Sequence, residues 1–343
     1  MTGANQSTIA VQLLLEPLAP KHPCNMLHNL EDRLSISMKA RPTAEVHLSS
    51  KLKHLLDGAV SESTKKAYQG DLRHFVSSGG SIPCSPEKVA EYAASCVEVH
   101  KPATVARRLT SIGKAHRLSG FENPVTTDIV KLAMRGLKRF VGSAQREAKP
   151  VLREDLFRIL DSMSDDRKSL RDRALLLLCF AGGFRRSEVV SLNVDDIQHV
   201  QHGIVIRLAR SKTDQEGIGR KVAIPFGRGF WCPVRAIDIW ISASGVETGP
   251  LFRVINRHNQ ILEKRLSGQA VSLILKARAN KAGFDGESYS GHSLRAGFVT
   301  SATIAGATSL SIRKQTGHRS DSMLNRYIRE ANLFAQNATA AIL

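Results

Sequence analysis

Residues 289–329 read YSGHSLRAGFVTSATIAGATSLSIRKQTGHRSDSMLNRYIR. The stretch brings His292, Arg295, His318 and Tyr327 close together along the chain. Two imidazoles, a guanidinium and a phenol form a phosphate-handling set. A guanidinium offers a planar fork to phosphate oxygens. An imidazole takes or gives a proton near neutral pH. A phenol can act as a nucleophile and form a covalent intermediate. The spacing His292-x-x-Arg295 predicts two side chains on one helical face, one turn apart, so that both can donate to one phosphate. Gly317-His318 follows a short helical run, and Tyr327 stands on the next. Taken singly, Tyr327 reads as a core aromatic with a satisfied hydroxyl.

The rest of the chain supplies the setting. Lys and Arg number 49 against 31 Asp and Glu, a formal net charge of +18 over 343 residues. A surplus of that size points to a polyanion, nucleic acid first among them; the plainer alternative is a cationic surface without a specific partner. The length suffices for two domains, each with its own core. The five Cys (Cys24, Cys84, Cys96, Cys179, Cys232) make no C-x-x-C pair. Their odd number argues against a disulfide framework and fits a reducing cytoplasm. No metal is expected, because His292 and His318 have no companion Cys and no H-x-x-x-H occurs. No run approaches the roughly 18 apolar residues of a membrane span. Val11–Leu15 is too short for a signal peptide and lacks a basic flank. A soluble, cytoplasmic protein is expected.

Residues 1–46 are broken by Pro17, Pro20, Pro23 and Pro42 and read as a flexible tail. Residues 47–140 predict an all-helical domain. Leu48, Leu52, Leu55 and Leu56 open it at helical spacing, and Tyr68, Leu72, Phe75 and Val76 continue it. Ser85-Pro86-Glu87 is a helix start, followed by Val89, Tyr92, Ala93, Cys96 and Val97 on one stripe. A helix over about 104–118 carries Arg107, Arg108, Lys114 and Arg117. Another over about 128–140 places Ile129, Leu132, Ala133, Gly136, Leu137 and Phe140 in register beside Lys131, Arg135, Lys138 and Arg139. Asp128 is almost the only carboxylate of these two helices, so the basic residues read as phosphate contacts rather than an ordinary solvated face.

Residues 141–150 read as a linker. A mixed but mostly helical domain follows over 151–343. Leu170–Phe180 predicts a buried helix, and Gly203–Arg210 with Arg220–Phe226 predicts a β-hairpin. Helices resume over about 232–243, 269–282, 292–305, 310–316 and 322–334.

Three further side chains complete the candidate site. Arg185 follows Gly182-Gly183-Phe184 at a loop-to-helix junction, and Glu188 lies one turn on, placed to orient Arg185 or its neighbour. As a lone pattern this is also an ordinary helix start with a surface ion pair. Lys212 sits in the hairpin turn, where an ammonium can donate a proton to a leaving oxygen if the hairpin reaches a groove.

In this order, Arg185, Lys212 in a β-hairpin, His292-x-x-Arg295, Gly317-His318 and Tyr327 resemble the tyrosine recombinases of the phage integrase family. The resemblance covers about 48–343. It leans toward the simple Cre-type members on His292-Ser293, Trp240–Val246 before Leu251-Phe252, and Tyr327-Ile328-Arg329. Ala296 stands where Xer members commonly have His.

The resemblance implies a helical core-binding domain and a catalytic domain closing as a C-shaped clamp on duplex DNA. It implies Tyr327 as nucleophile forming a 3′-phosphotyrosyl bond, with Arg185 and Arg295 on the non-bridging oxygens. It makes His292 and His318 further hydrogen-bonding groups, Lys212 the acid and Glu188 the orienter. No cofactor or metal is implied. The implied partner is double-stranded DNA with inverted repeats, bound by a dimer per site and a homotetramer during exchange through a Holliday junction. The apolar end Ala331–Leu343 suits docking on a neighbouring copy, or equally on its own domain. A plasmid, phage or bacterial origin fits. A type IB topoisomerase, or a non-catalytic DNA-binding protein on the same fold, are the alternatives.

Overall fold

The computed structural model describes residues 60–142, 148–208, 219–318, 320, 324, 327 and 328. The tail 1–46, the Leu48–Leu56 helix, Lys212 and the apolar end Ala331–Leu343 lie outside the described residues. The chain divides into two compact units, Met1–Gln145 and Arg146–Leu343.

The first unit contains α1 (Glu62–Ser77), α2 (Pro86–Ser95), α3 (Pro102–Leu118) and α4 (Asp128–Val141). Short polar side chains start the first two. Ser61 Oγ accepts from Thr64 N–H at 3.3 Å, and Ser85 Oγ from Lys88 N–H at 3.4 Å, with Pro86 in the first turn. Each cap satisfies a donor that the helix itself leaves open. Phe75, Val89, Tyr92, Val105, Leu109 and Ile112 form the centre of the core.

Helix α4 departs from the predicted register. Val130 and Leu137 are buried, with Ala133 and Met134 packed beside them. Ile129, Leu132 and Phe140 are 43%, 57% and 81% exposed. The apolar arc of α4 is wider than the face it presents to the core, so one edge of it stays at the surface.

The second unit opens with α5 (Arg153–Asp161), α6 (Arg167–Ala181) and α7 (Arg186–Ser191). A three-stranded antiparallel sheet follows, β1 (Ile197–Val200), β2 (Gly203–Leu208) and β3 (Arg220–Pro225), in that order. Helix α8 (Pro233–Ser244), the hairpin β4 (Arg253–Ile255) and β5 (Ile261–Arg265), then α9 (Gly268–Lys281), α10 (Ser293–Ile304) and α11 (Ser309–Thr316) complete it.

Helix α6 is the axis of this unit. Leu175 to Cys179 are all buried, because α8, α9 and α10 all pack on it. The expected hairpin pairs Val205 with Ala223 and Ile206 with Val222. Strands β1, β4 and β5 are not legible in the sequence. They are three to five residues long and poorly buried, so they carry little alternation to read.

The end of the predicted linker belongs to the second unit. Lys149 N–H donates to Ser288 C=O at 2.9 Å and Val151 N–H to Ser293 C=O at 3.0 Å. The Val151 carbonyl passes so close over Gly297 that no Cβ could be accommodated there.

Candidate active site

The loop between α6 and α7 sets the first arginine. Gly183 has φ +56°, and a Cβ there would lie 2.7 Å from Thr316 Cγ2. Only glycine allows this turn and this approach together. Arg185 is the N-cap of α7, and Glu188 sits one turn on. The Glu188 carboxylate accepts from Arg185 Nη1 at 2.6 Å and from the Arg185 backbone N–H at 2.9 Å. Glu188 is 2% exposed, so the pair is a desolvated, charge-assisted contact rather than a surface ion pair.

The second arginine comes from α10. Ser293 Oγ accepts from Ser290 N–H at 2.9 Å and starts this helix, leaving His292 exposed at its N-terminus. Arg295, one turn in, is 1% exposed. Its Nη1 donates to Gly183 C=O at 2.5 Å and to Thr316 C=O at 2.8 Å; its Nη2 donates to His318 Nε2 at 2.9 Å. Arg295 therefore holds both the loop that carries Arg185 and the turn that carries His318. Burial, then the charge of Arg185, lowers Arg295 to about 10, and it stays cationic at neutral pH.

Helix α11 ends at Gly317, which adopts the left-handed conformation at φ 70° and turns His318 into the cluster. Because Arg295 donates to Nε2, the proton of neutral His318 must sit on Nδ1. That nitrogen faces Thr316 Oγ1 at 2.7 Å, and Thr316 Oγ1 in turn donates to Ile312 C=O at 2.7 Å. The relay fixes one tautomer. Burial first, then Arg295, Arg185, His292 and Arg220, pull His318 down to about 3, so it is neutral at physiological pH.

Tyr327 is half-buried against Val299, Ile312 and Leu324 and lies within electrostatic reach of Arg295. The other tyrosines are placed differently. Tyr92 and Tyr289 are 4% and 2% exposed, and Tyr68 carries Lys114 over its ring at 4.8 Å. Arg185, Glu188, Arg295 and His318 are thus brought together, with Tyr327 beside them and His292 exposed at the start of α10. Lys212 is outside the described residues.

Sequence reasoning missed three contributors. Thr316 orients His318, and Gln315 Nε2 donates to Ala181 C=O at 2.9 Å and to Ala223 C=O at 3.2 Å, tying α11 to α6 and β3. The third is Arg220. Its Nη1 donates to Gln315 C=O at 2.6 Å, and its Nη2 stands 3.5 Å from Glu188 Oε2. A signal for it existed. On β3, Arg220 alternates with buried Val222 and Ile224, which puts a guanidinium on the inward face.

The basic residues of the first unit divide. Arg117, Arg135, Lys138 and Arg139 are exposed, as is Lys131 in its 3.3 Å pair with Asp128. Arg107 pairs with Asp71 at 2.9 Å with its side chain half exposed. Arg108 departs from the expected phosphate-contact set. Its side chain is 11% exposed and engages His74 at 3.0 Å and Asp71 at 3.9 Å. Buried Asp71 lacks water to solvate its charge and takes these arginines as partners.

Comparison with known proteins adds to this picture. The model of the phage integrase family matches residues 150–333. An integrase/recombinase xerD homolog of Selenomonas ruminantium is 36% identical over 319 residues, covering 90% of this chain and 94% of its own. The recombinase cre of Escherichia phage P1 is 26% identical over 271 residues, covering 72% and 77%. Relatives of both the Xer and the Cre type are therefore similar to the chain, whatever stands at position 296. Among solved structures, a lambda integrase tetramer bound to a Holliday junction superposes with a TM-score of 0.59, covering 94% of this chain and 85% of its own. At 16% identity, that likeness is one of fold.

Proposed function

Because the chain belongs to the phage integrase family and is a site-specific DNA recombinase of the tyrosine class, we propose that it breaks and rejoins duplex DNA through a 3′-phosphotyrosyl bond on Tyr327. Strands are exchanged between two inverted-repeat sites through a Holliday junction, with a dimer on each site and a homotetramer during exchange. The observation that carries this reading is the convergence of Arg185, Arg295 and His318 on one cluster, held by Glu188 and Thr316.

The Tyr327 phenol attacks the scissile phosphorus. A P–O bond to tyrosine forms and the bond to the 5′ oxygen breaks. His292 takes the phenolic proton, and Lys212 protonates the departing oxygen. Arg185 and Arg295 neutralise the charge that builds on the non-bridging oxygens, and Glu188 keeps Arg185 aimed. Both guanidiniums are fixed before substrate arrives, so little reorganisation accompanies the reaction. The covalent bond conserves the phosphodiester energy, so the reverse attack by a 5′ hydroxyl needs no nucleotide. Exposed Arg117, Lys131, Arg135, Lys138 and Arg139 supply contacts to the DNA backbone.

A duplex selected by the full chain from a random-sequence pool, nicked next to the cleavage position, traps the intermediate. The expected result is a covalent protein–DNA adduct that disappears in Tyr327→Phe while DNA binding persists. Binding without any adduct overturns catalysis, and relaxation of any supercoiled plasmid regardless of sequence overturns site specificity.

A further inference from the structure

We propose that Arg220 is a positioning residue for phosphoryl transfer: from the inward face of β3 it braces the Arg185–Glu188 pair against the Gly317–His318 turn. The inference rests on the strand-transfer reading above and adds a residue to that machinery.

The guanidinium reaches both halves of the cluster. Nη1 holds Gln315 C=O at 2.6 Å, at the end of the helix whose next residues are Thr316, Gly317 and His318. Nη2 faces Glu188 Oε2 at 3.5 Å, an ion-pair distance longer than a good hydrogen bond. Glu188 therefore stands between Arg185 on one oxygen and Arg220 on the other. The body of the side chain is boxed in. Its guanidinium lies over the Phe184 ring at 5.9 Å, and a Cβ on Gly317 would come within 3.0 Å of Nε. Nε is buried and has no hydrogen-bond partner among the described residues. A desolvated donor left open in this way is costly in a purely structural side chain.

The charge arrangement gives the brace a purpose. Arg185, Arg220 and Arg295 surround one carboxylate, and His318 is neutral. Such a cluster repels itself until an anion enters. Two arginines on Glu188 and a third on the Gly183 and Thr316 carbonyls keep the clamp assembled in the meantime. Lysine at position 220 would keep the charge but, as a single ammonium on a flexible stem, could not serve Gln315 and Glu188 with a rigid fork.

The test uses the full chain, the nicked duplex recovered from the random pool, and the variants Arg220→Lys and Arg220→Ala. Single-turnover adduct formation is expected to slow about 10-fold in Arg220→Lys and about 100-fold in Arg220→Ala, the range for weakened support of one preorganised donor. DNA affinity is expected to stay within about threefold, since Arg220 is spent on protein groups. Two altered scissile linkages identify the route. A methylphosphonate removes the charge of one non-bridging oxygen, so the clamp matters less and the Arg220→Ala deficit should shrink at least about 10-fold. A 5′-bridging phosphorothiolate leaves without protonation, and the deficit should persist.

Unaltered adduct rates in Arg220→Lys overturn the proposal even if Arg220→Ala does not fold. So does a deficit that methylphosphonate leaves unchanged, or one that the phosphorothiolate abolishes. Absence of an adduct from the unaltered chain overturns the strand-transfer reading itself, and this inference with it.

Discussion

Arg295 Nη2 donates to His318 Nε2 at 2.9 Å, so the buried guanidinium and imidazole of the cluster are bound directly to each other. The imidazole acts as an acceptor here and holds the guanidinium in place. Its own proton points away, toward Thr316.

Thr316→Val is expected to expose that dependence. The shape of the side chain is nearly kept, but His318 Nδ1–H is left without its acceptor in a buried site. Leaving such a donor unpaired costs about 1–3 kcal/mol. Urea unfolding should show the destabilisation, and adduct formation should slow by about 10-fold because Arg295 is no longer held by a fixed tautomer. An active, equally stable variant would remove Thr316 from the relay.

The pH dependence of stability carries a second signature. His318 is held near 3 in the folded chain, well below an unfolded imidazole at about 6.5. Between these values the unfolded state binds a proton that the folded state does not. The stabilisation is therefore complete above about pH 6.5 and declines as pH falls toward 3. Thermal unfolding of the unaltered chain should weaken more steeply between about pH 7 and pH 5 than that of His318→Gln. Using the difference between the two cancels the other depressed histidines, His74, His100 and His116. Parallel curves would contradict a neutral, buried His318.

Gly183→Ala is expected to damage the site from the backbone. The residue sits at φ +56°, and a methyl group there meets Thr316 Cγ2 at 2.7 Å. The conformational penalty alone is about 1–2 kcal/mol for a non-glycine residue. Overpacking adds about 1–3 kcal/mol. Chemical denaturation measures the sum, and adduct formation should fall further than stability alone explains, because Arg185 follows directly on this turn.

Salt dependence separates the basic residues of the first unit. Replacing exposed Arg135 or Arg139 by Ala should weaken DNA binding and flatten the plot of log affinity against log salt by about 0.9 for each phosphate no longer neutralised. Arg108→Ala should instead lower the melting temperature, because it removes a partner from buried Asp71 and from His74. Equal salt slopes for Arg108→Ala and Arg135→Ala would erase the distinction.

Much of the fold is legible in the sequence, and the exceptions have physical causes. Helix starts at Ser61 and Ser85 follow from local hydrogen bonding, which a few neighbouring residues decide. The buried face of α4 is not legible, because period alone gives an apolar arc while the neighbour α2 selects which part of it is covered. Arg108 reads as a free cation because nothing near it in sequence announces Asp71, a residue on another helix. Arg220 is legible as strand and easily passed over as chemistry, although its alternation with Val222 and Ile224 turns it inward.

The order and types of the candidate site residues were determined by the sequence itself: two arginines, a lysine, two histidines and a tyrosine are chemistry that any folded arrangement must inherit. Tertiary structure alone decided their protonation and aim. Burial and three neighbouring guanidiniums keep His318 neutral, Thr316 chooses its tautomer, Glu188 holds Arg185, and Arg220 stands against the other oxygen of Glu188. These are effects of distance and desolvation between segments far apart in the chain, and only the folded chain brings them within reach of one another.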